Sequence, residues 1–280
     1  MIVRELPDGT ALLIGQESHA DVAAQLAAHW GNTEFSRLDP YQSVVFGTTY
    51  HDSGHREMEA DLPIDVETGL PYFHRKAPLA VRRRDADSNN FQWIRGRDTY
   101  AAFLASVHHA GLRKRRYDTV HWGGGIRDGY EGGAPATQQP ALGMDAAFED
   151  LSDWQREVAQ QLGITSDQAR DAFWHNYRCL QTYDQLSLYF CCDGYDGTEL
   201  KEATLVDVPV ATGSTRTVDL TITPTGPTSV RISPFPFDIR KLQISVMTRQ
   251  MTPCVEQPDV VAKEGFYRAT RCPLAWEISG

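Results

Sequence analysis

Two imidazoles and two carboxylates, His19, His51, Asp52 and Asp184, have the donor types that a divalent transition metal takes from a protein. Three of them fall on stripes that otherwise face a core. His19 shares a helical face with Val22, Leu26 and Trp30, His51 follows Val44, Val45 and Thr48, and Asp184 stands in line with Phe173, Tyr177, Leu180 and Leu188. A single inward histidine is more simply a hydrogen-bonded core residue, and a single inward aspartate the partner of a buried arginine. Their conjunction on separate helical segments favours a metal, because several unpaired polar groups in one core are costly. His108 recurs on the inward face of its own helix with Ala101 and Leu104. Its neighbour His109 diverges from it by about 100° and so points toward the edge of a cavity.

The elements that must position these groups can be read from periodicity and punctuation. Residues 2–15 read as a β-hairpin around Pro7-Asp8-Gly9 that caps the domain. Ser18 is placed as the N-cap of a helix running to residue 30, and a second helix covers about 40–51, where Ser53-Gly54 breaks it. The stretch 61–97, rich in Pro, Asp, Asn and Arg, reads as a long functional loop, and Glu57, Glu59, Asp61, Asp65 and Glu67 as an exposed acidic run. A third helix covers about 99–110 and stops at Gly111. The glycine-rich segment 121–143 reads as an exposed excursion, its consecutive glycines lacking the spacing of a nucleotide-binding fingerprint. Helices resume over about 145–162 and 166–191. Beyond Gly197, alternating β-branched runs such as RTVDLTITP and KLQISVM predict a small antiparallel sheet, with SPFPFD (233–238) packed back on the helices.

Composition narrows the classes. With 41% apolar residues, the 280-residue chain can bury one large core, or one core and a smaller companion. A net charge of −10 argues against a broad nucleic-acid surface. Five cysteines, an odd number without a CxxC pair, indicate reduced and mostly buried thiols instead of a disulfide framework or zinc ribbon. There is no leader-like N-terminus and no apolar run of about 18 residues, so no membrane span is expected and a cytoplasmic location follows by default.

Taken in order, ESHADVAAQLA, TTYHDSGH and YDQLSLYF resemble the ligand-bearing segments of the HD superfamily of metal-dependent phosphohydrolases, over roughly residues 16–192. The full-length pattern, with DLPIDVETGLP and a β-rich tail, is most similar to a bacterial HD-like family with no assigned reaction. The resemblance implies a mainly α fold: an HD-like helical metal-binding domain with an N-terminal β-hairpin over 1–197, and a C-terminal antiparallel β-rich subdomain over 198–280 packed on it. It implies His19, His51, Asp52 and Asp184 as ligands of one ion and, through SVHHAGL, His108 (or His109) as a ligand of a second. The expected cofactor is one or two divalent ions, Mn, Fe, Ni, Zn or Mg. The implied reaction is hydrolysis of a phosphoester or nucleotide-like small molecule by a metal-activated water, with His55 or His109 as general acid. Arg82 and Arg113, each opening a basic run, suit a small anionic substrate, while the same runs also read as solvated basic faces. The alternatives are an HD-type di-iron oxygenase and a noncatalytic, metal-stabilised ligand sensor.

Overall fold

The structure is a computed structural model that describes residues 1–78, 80–81, 90–114, 120–124, 143–256 and 258–280. Strands β1 (Ile2–Glu5) and β2 (Ala11–Ile14) form the expected hairpin, with Ile2 opposite Ile14. Asp8 closes its turn by accepting from the Thr10 backbone N–H at 2.9 Å and hydroxyl at 2.6 Å, and Gly9, at φ +83°, supplies the left-handed residue.

The hairpin extends a sheet instead of capping a domain. Its companions are β3 (His121–Gly124), β4 (Ala203–Pro209), β5 (Thr217–Gly226), β6 (Ser229–Ser233), β7 (Lys241–Met251) and β8 (Arg271–Ser279). The strand order is β1-β2-β7-β8-β6-β5-β4-β3, antiparallel except where β6 and β8 run parallel. This overturns the mainly α expectation: 41% of the chain is helical and 27% strand, and the eight strands curl into a half-barrel. The physical reason is non-local pairing. Arg249 lies opposite Leu13 and His121 opposite Val206, partnerships that no local periodicity carries. Gly123 also disguised β3 as loop. A Cβ there would lie 2.4 Å from Val206 Cγ2, so the glycine is what lets this edge strand approach.

The helices are α1 (Gln16–Ala28), α2 (Tyr41–Tyr50), α3 (His55–Ala60), α4 (Asn90–Arg95), α5 (Thr99–Lys114), α6 (Gly143–Glu149), α7 (Asp153–Gln161), α8 (Asp167–Leu188) and α9 (Lys263–Arg268). α1 begins ahead of Ser18. Gly15 at its N-cap offers no side chain, and Glu59 on α3 accepts from the Gln16 N–H at 2.8 Å instead, an anion at the positive end of the helix. A Cβ on Gly15 would lie 2.8 Å from Glu59 Oε2, so the cap requires the glycine. α5 continues through Gly111, and the helix expected over 145–162 is two, because Ser152 and Gln155 form a capping box that restarts it. The stretch expected to lack regular structure contains α4 and a two-residue ladder pairing Ile64 with Pro71.

α1 packs on α2, α8 and β7, and α2 packs on α5. β7 alternates buried Leu242, Ile244, Val246 and Thr248 with exposed Lys241, Gln243, Ser245 and Met247, the pattern of a strand with one face on a core. One core runs across residue 197: Val22, Leu26, Tyr183 and Phe190 share a cluster with Leu220, Ile232, Ile244 and Trp276. Trp30, 3% exposed, meets the rings of Tyr183 at 5.1 Å and Phe237 at 5.8 Å edge-on, which seats SPFPFD on the helices. Among the described residues no helix is long and apolar enough to cross a membrane.

Candidate metal centre

Four packed helices bring the singled-out residues to one place. His19 lies in the first turns of α1, His51 and Asp52 directly follow α2, His108 and His109 lie on α5, and Asp184 is one turn from the end of α8. His19, His51, Asp52, His108 and Asp184 are all buried. One donor atom each from His19, His51 and Asp184 lies within 4.8 Å of the others, close enough to hold a single ion. Asp184 is the hub: Oδ1 is 3.4 Å from His51 Nε2 and 3.9 Å from His19 Nδ1, while Oδ2 is 3.6 Å from His108 Nε2. Asp52 Oδ2 is 2.8 Å from His19 Nε2 and 4.0 Å from His51 Nε2.

Hydrogen-bond directions show what these atoms need. His51 Nδ1–H donates to the Thr48 carbonyl at 2.7 Å, so Nε2 of the neutral ring carries a lone pair. Ser187 Oγ donates to the Asp184 carbonyl at 2.8 Å and also lies 3.0 Å from His19 Nδ1. A hydroxyl has one proton, so both bonds form together only if His19 Nδ1–H donates to Oγ. His19 Nε2 then meets Asp52 Oδ2, and His51 Nε2 meets Asp184 Oδ1, as acceptor against acceptor. Such pairs require a cation, either a proton or a metal. Nε2 of His51 and both ring nitrogens of His108 are buried with no hydrogen-bond partner among the described residues. The donor set fits a divalent transition ion, with Thr48 and Ser187 as the outer partners that orient the imidazoles.

Charge states agree with this. Burial holds His19 down to about 4 against the pull of Asp52 and Asp184, and holds His108 down to about 3. Burial also works against a charge on His51, but Asp52 and Asp184 outweigh it and push this imidazole up to about 9. Burial would raise both carboxyls, yet His51 foremost keeps Asp52 well below, and Asp184 below, the ordinary range. Near neutral pH the centre therefore holds two carboxylates against one imidazolium, a net negative charge inside a core.

The other expected site residues divide. His109, its side chain 20% exposed, donates from Nε2–H to the His51 carbonyl at 2.6 Å and lies 3.3 Å from Asp52 Oδ1, so it clamps the His-Asp turn. His55 opens α3, half-buried, its backbone N–H bonding the Asp52 carbonyl at 3.1 Å and its ring near enough to influence His19 and Asp52. Arg82 and the side chain of Arg113 lie outside the described residues. Sequence reasoning missed Ser187 as an orienting group, although it stands three residues from Asp184 and hence on the same helical face, and it missed the Thr48 carbonyl, a backbone group that no residue type announces. The stretch read as a loop also holds His74. Burial first, then Arg75, holds this ring well below its ordinary pKa, and nothing in an aperiodic segment signals that.

A cluster of imidazoles and carboxylates among four helices, backed by a curled sheet, defines a protein able to hold a buried metal ion. The chain belongs to the family DUF3891, described as a protein of unknown function, which it matches over residues 1–253. That span contains every residue of the centre. Comparison with curated proteins and with solved structures gave no match.

Proposed function

We propose that the chain is a metal-dependent hydrolase of a small phosphoester or nucleotide-like molecule, with helices of the HD kind. The observation that carries this reading is the convergence of one donor atom each from His19, His51 and Asp184 within 4.8 Å of one another inside a core. His19, His51, Asp52 and Asp184 would hold the ion, one of Mn, Fe, Ni, Zn or Mg. When bound it supplies Lewis acidity and a water acidified toward neutral pH. The chain's own groups do the rest. Thr48 and Ser187 fix the ring tautomers, His109 fixes Asp52, and burial keeps competing water away. Water would attack phosphorus, the ester P–O bond would break, and His55 would give the leaving oxygen its proton. The basic runs beginning at Arg82 and Arg113 would draw in an anionic substrate.

A second reading, a di-iron oxygenase, is favoured by one observation: His108 is buried, held neutral, and sits against the Asp184 oxygen that does not face His51. Elemental analysis of anaerobically purified protein, followed by turnover of nitrophenyl phosphate and bis-nitrophenyl phosphate, separates the two. One Mn, Ni, Zn or Mg ion per chain, with hydrolysis lost in His51→Ala, supports the hydrolase. Two irons per chain select oxygen chemistry, and metal without turnover leaves a sensor. Failure to bind any metal sinks every one of these readings.

A further inference from the structure

Apart from the metal centre, a cleft of about 440 Å³ opens beside β1, bounded by residues 70–76 and by the turn that follows α8. This size lies within the range of roughly 300–1,000 Å³ usual for small-molecule sites. Two arginines line it and are treated differently. Arg75, buried, gives Nη1 and Nη2 to the two carboxylate oxygens of Asp193 at 2.6 and 2.5 Å. Arg4 receives no such partner: its Nε and Nη1 are shut from solvent and find no acceptor among the described residues. Its guanidinium lies over the ring of Tyr195, 3.9 Å from the centroid. The stack fixes the guanidinium but supplies no acceptor. Nη2 is not shut in with Nε and Nη1, and Arg4 lines the cleft, so an anion that enters the cleft can reach the guanidinium through this nitrogen.

The remaining charges set the valence of that anion. With Asp193 taken by Arg75, the cleft presents Arg4, Lys76 and Lys201 against Glu5 and Asp65, three cations against two acids. Lys201 is held only loosely, 3.4 Å from the highly exposed carboxylate of Asp196. A local positive excess of this size, in a chain of net charge −10, suits one oxyanion group and not a polyanion. Leu70, Pro71 and Phe73 offer an apolar wall for the rest of the ligand.

We propose that this cleft binds a small molecule through one carboxylate or phosphate group gripped by Arg4, at a site separate from the metal centre. The experiment is isothermal titration of full-length, metal-stripped protein with inorganic phosphate and, separately, with acetate. At least one probe is expected to bind saturably, and the tighter of the two names the group. Arg4→Gln and Lys76→Glu should each weaken it tenfold or more, whereas Asp184→Asn should leave it unchanged. Lys76 is exposed, so its substitution carries the comparison if Arg4→Gln fails to fold. The proposal is overturned if neither probe saturates, if the cleft variants bind as wild type, or if Asp184→Asn abolishes binding and so places the anion at the metal centre. None of these failures bears on whether the centre takes a metal.

Discussion

Asp184 faces three imidazoles at once, so Asp184→Asn removes one charge from the middle of the centre while keeping the side chain's shape. At the 3.4 Å that separates Oδ1 from His51 Nε2, with an effective dielectric of about 20, a unit positive charge gains roughly 5 kcal/mol from this carboxylate. That corresponds to about three and a half decades in the hold on a proton. A divalent ion carries twice the charge and also loses a ligand, so metal affinity should fall by about a thousandfold or more. The expected result has two parts. In titrations with zinc or manganese the variant binds at least a thousandfold more weakly, and by NMR His51 gives up its proton well below the value of about 9 that it holds in the metal-free wild type. Circular dichroism should be unchanged. A folded Asp184→Asn protein that binds metal within tenfold of wild type would refute both the hub role of Asp184 and the electrostatic argument.

Stability of the metal-free protein should depend on pH with a definite sign. His19, His108 and His175 are held near 4, 3 and 4 by burial, below the free value, so their contribution is complete above about pH 6.5 and is lost as pH falls toward 4. His51 is raised to about 9, so its contribution is complete below about 6.5 and is lost as pH rises through 9. Urea midpoints should therefore drop on both sides, more steeply in acid, and a flat profile from pH 7 to about 4.5 would contradict these burial effects. His109→Ala should cost about 10- to 100-fold in metal affinity by freeing Asp52, while His109→Gln, which retains an N–H donor, should recover most of it. Equal affinity in the Ala variant and wild type would leave the clamp without function. Trp30→Ala removes a ring packed on Tyr183 and Phe237 and should cost about 3–5 kcal/mol in urea unfolding; a loss under about 1 kcal/mol would mean that the two layers do not meet through it.

What was legible in the sequence was local. His19, His108 and Asp184 could be placed inward because α1, α5 and α8 repeat with a period that a short window captures, and the hairpin because Pro7-Asp8-Gly9 has its own turn chemistry. What escaped was made of distant partners. The cap of α1 comes from Glu59 on another helix, β3 reads as loop because its glycine answers to Val206, and the full sheet exists only when β2 finds β7. The mainly α expectation failed on that account, since the hairpin and runs such as RTVDLTITP and KLQISVM were visible but their joining into one eight-stranded sheet was not. The His109 clamp was hidden for a similar reason: its acceptor is the backbone carbonyl of His51, which no residue type announces.

The path of the chain through Gly15 has a kinetic meaning. Glu59 anchors the start of α1, and β2, which leads directly into that helix, is held on its far side by β7. During synthesis β7 emerges late, so β2 waits with an open edge until most of the protein has been made. His51, His108 and Asp184 can assemble among helices before then, and His19 joins them through α1, whose contacts with α2 and α8 and whose cap from Glu59 involve only earlier residues. Long-range strand pairing is slow relative to helix packing. The ligand residues can therefore stand together while β2 still offers the open edge that β7 later covers.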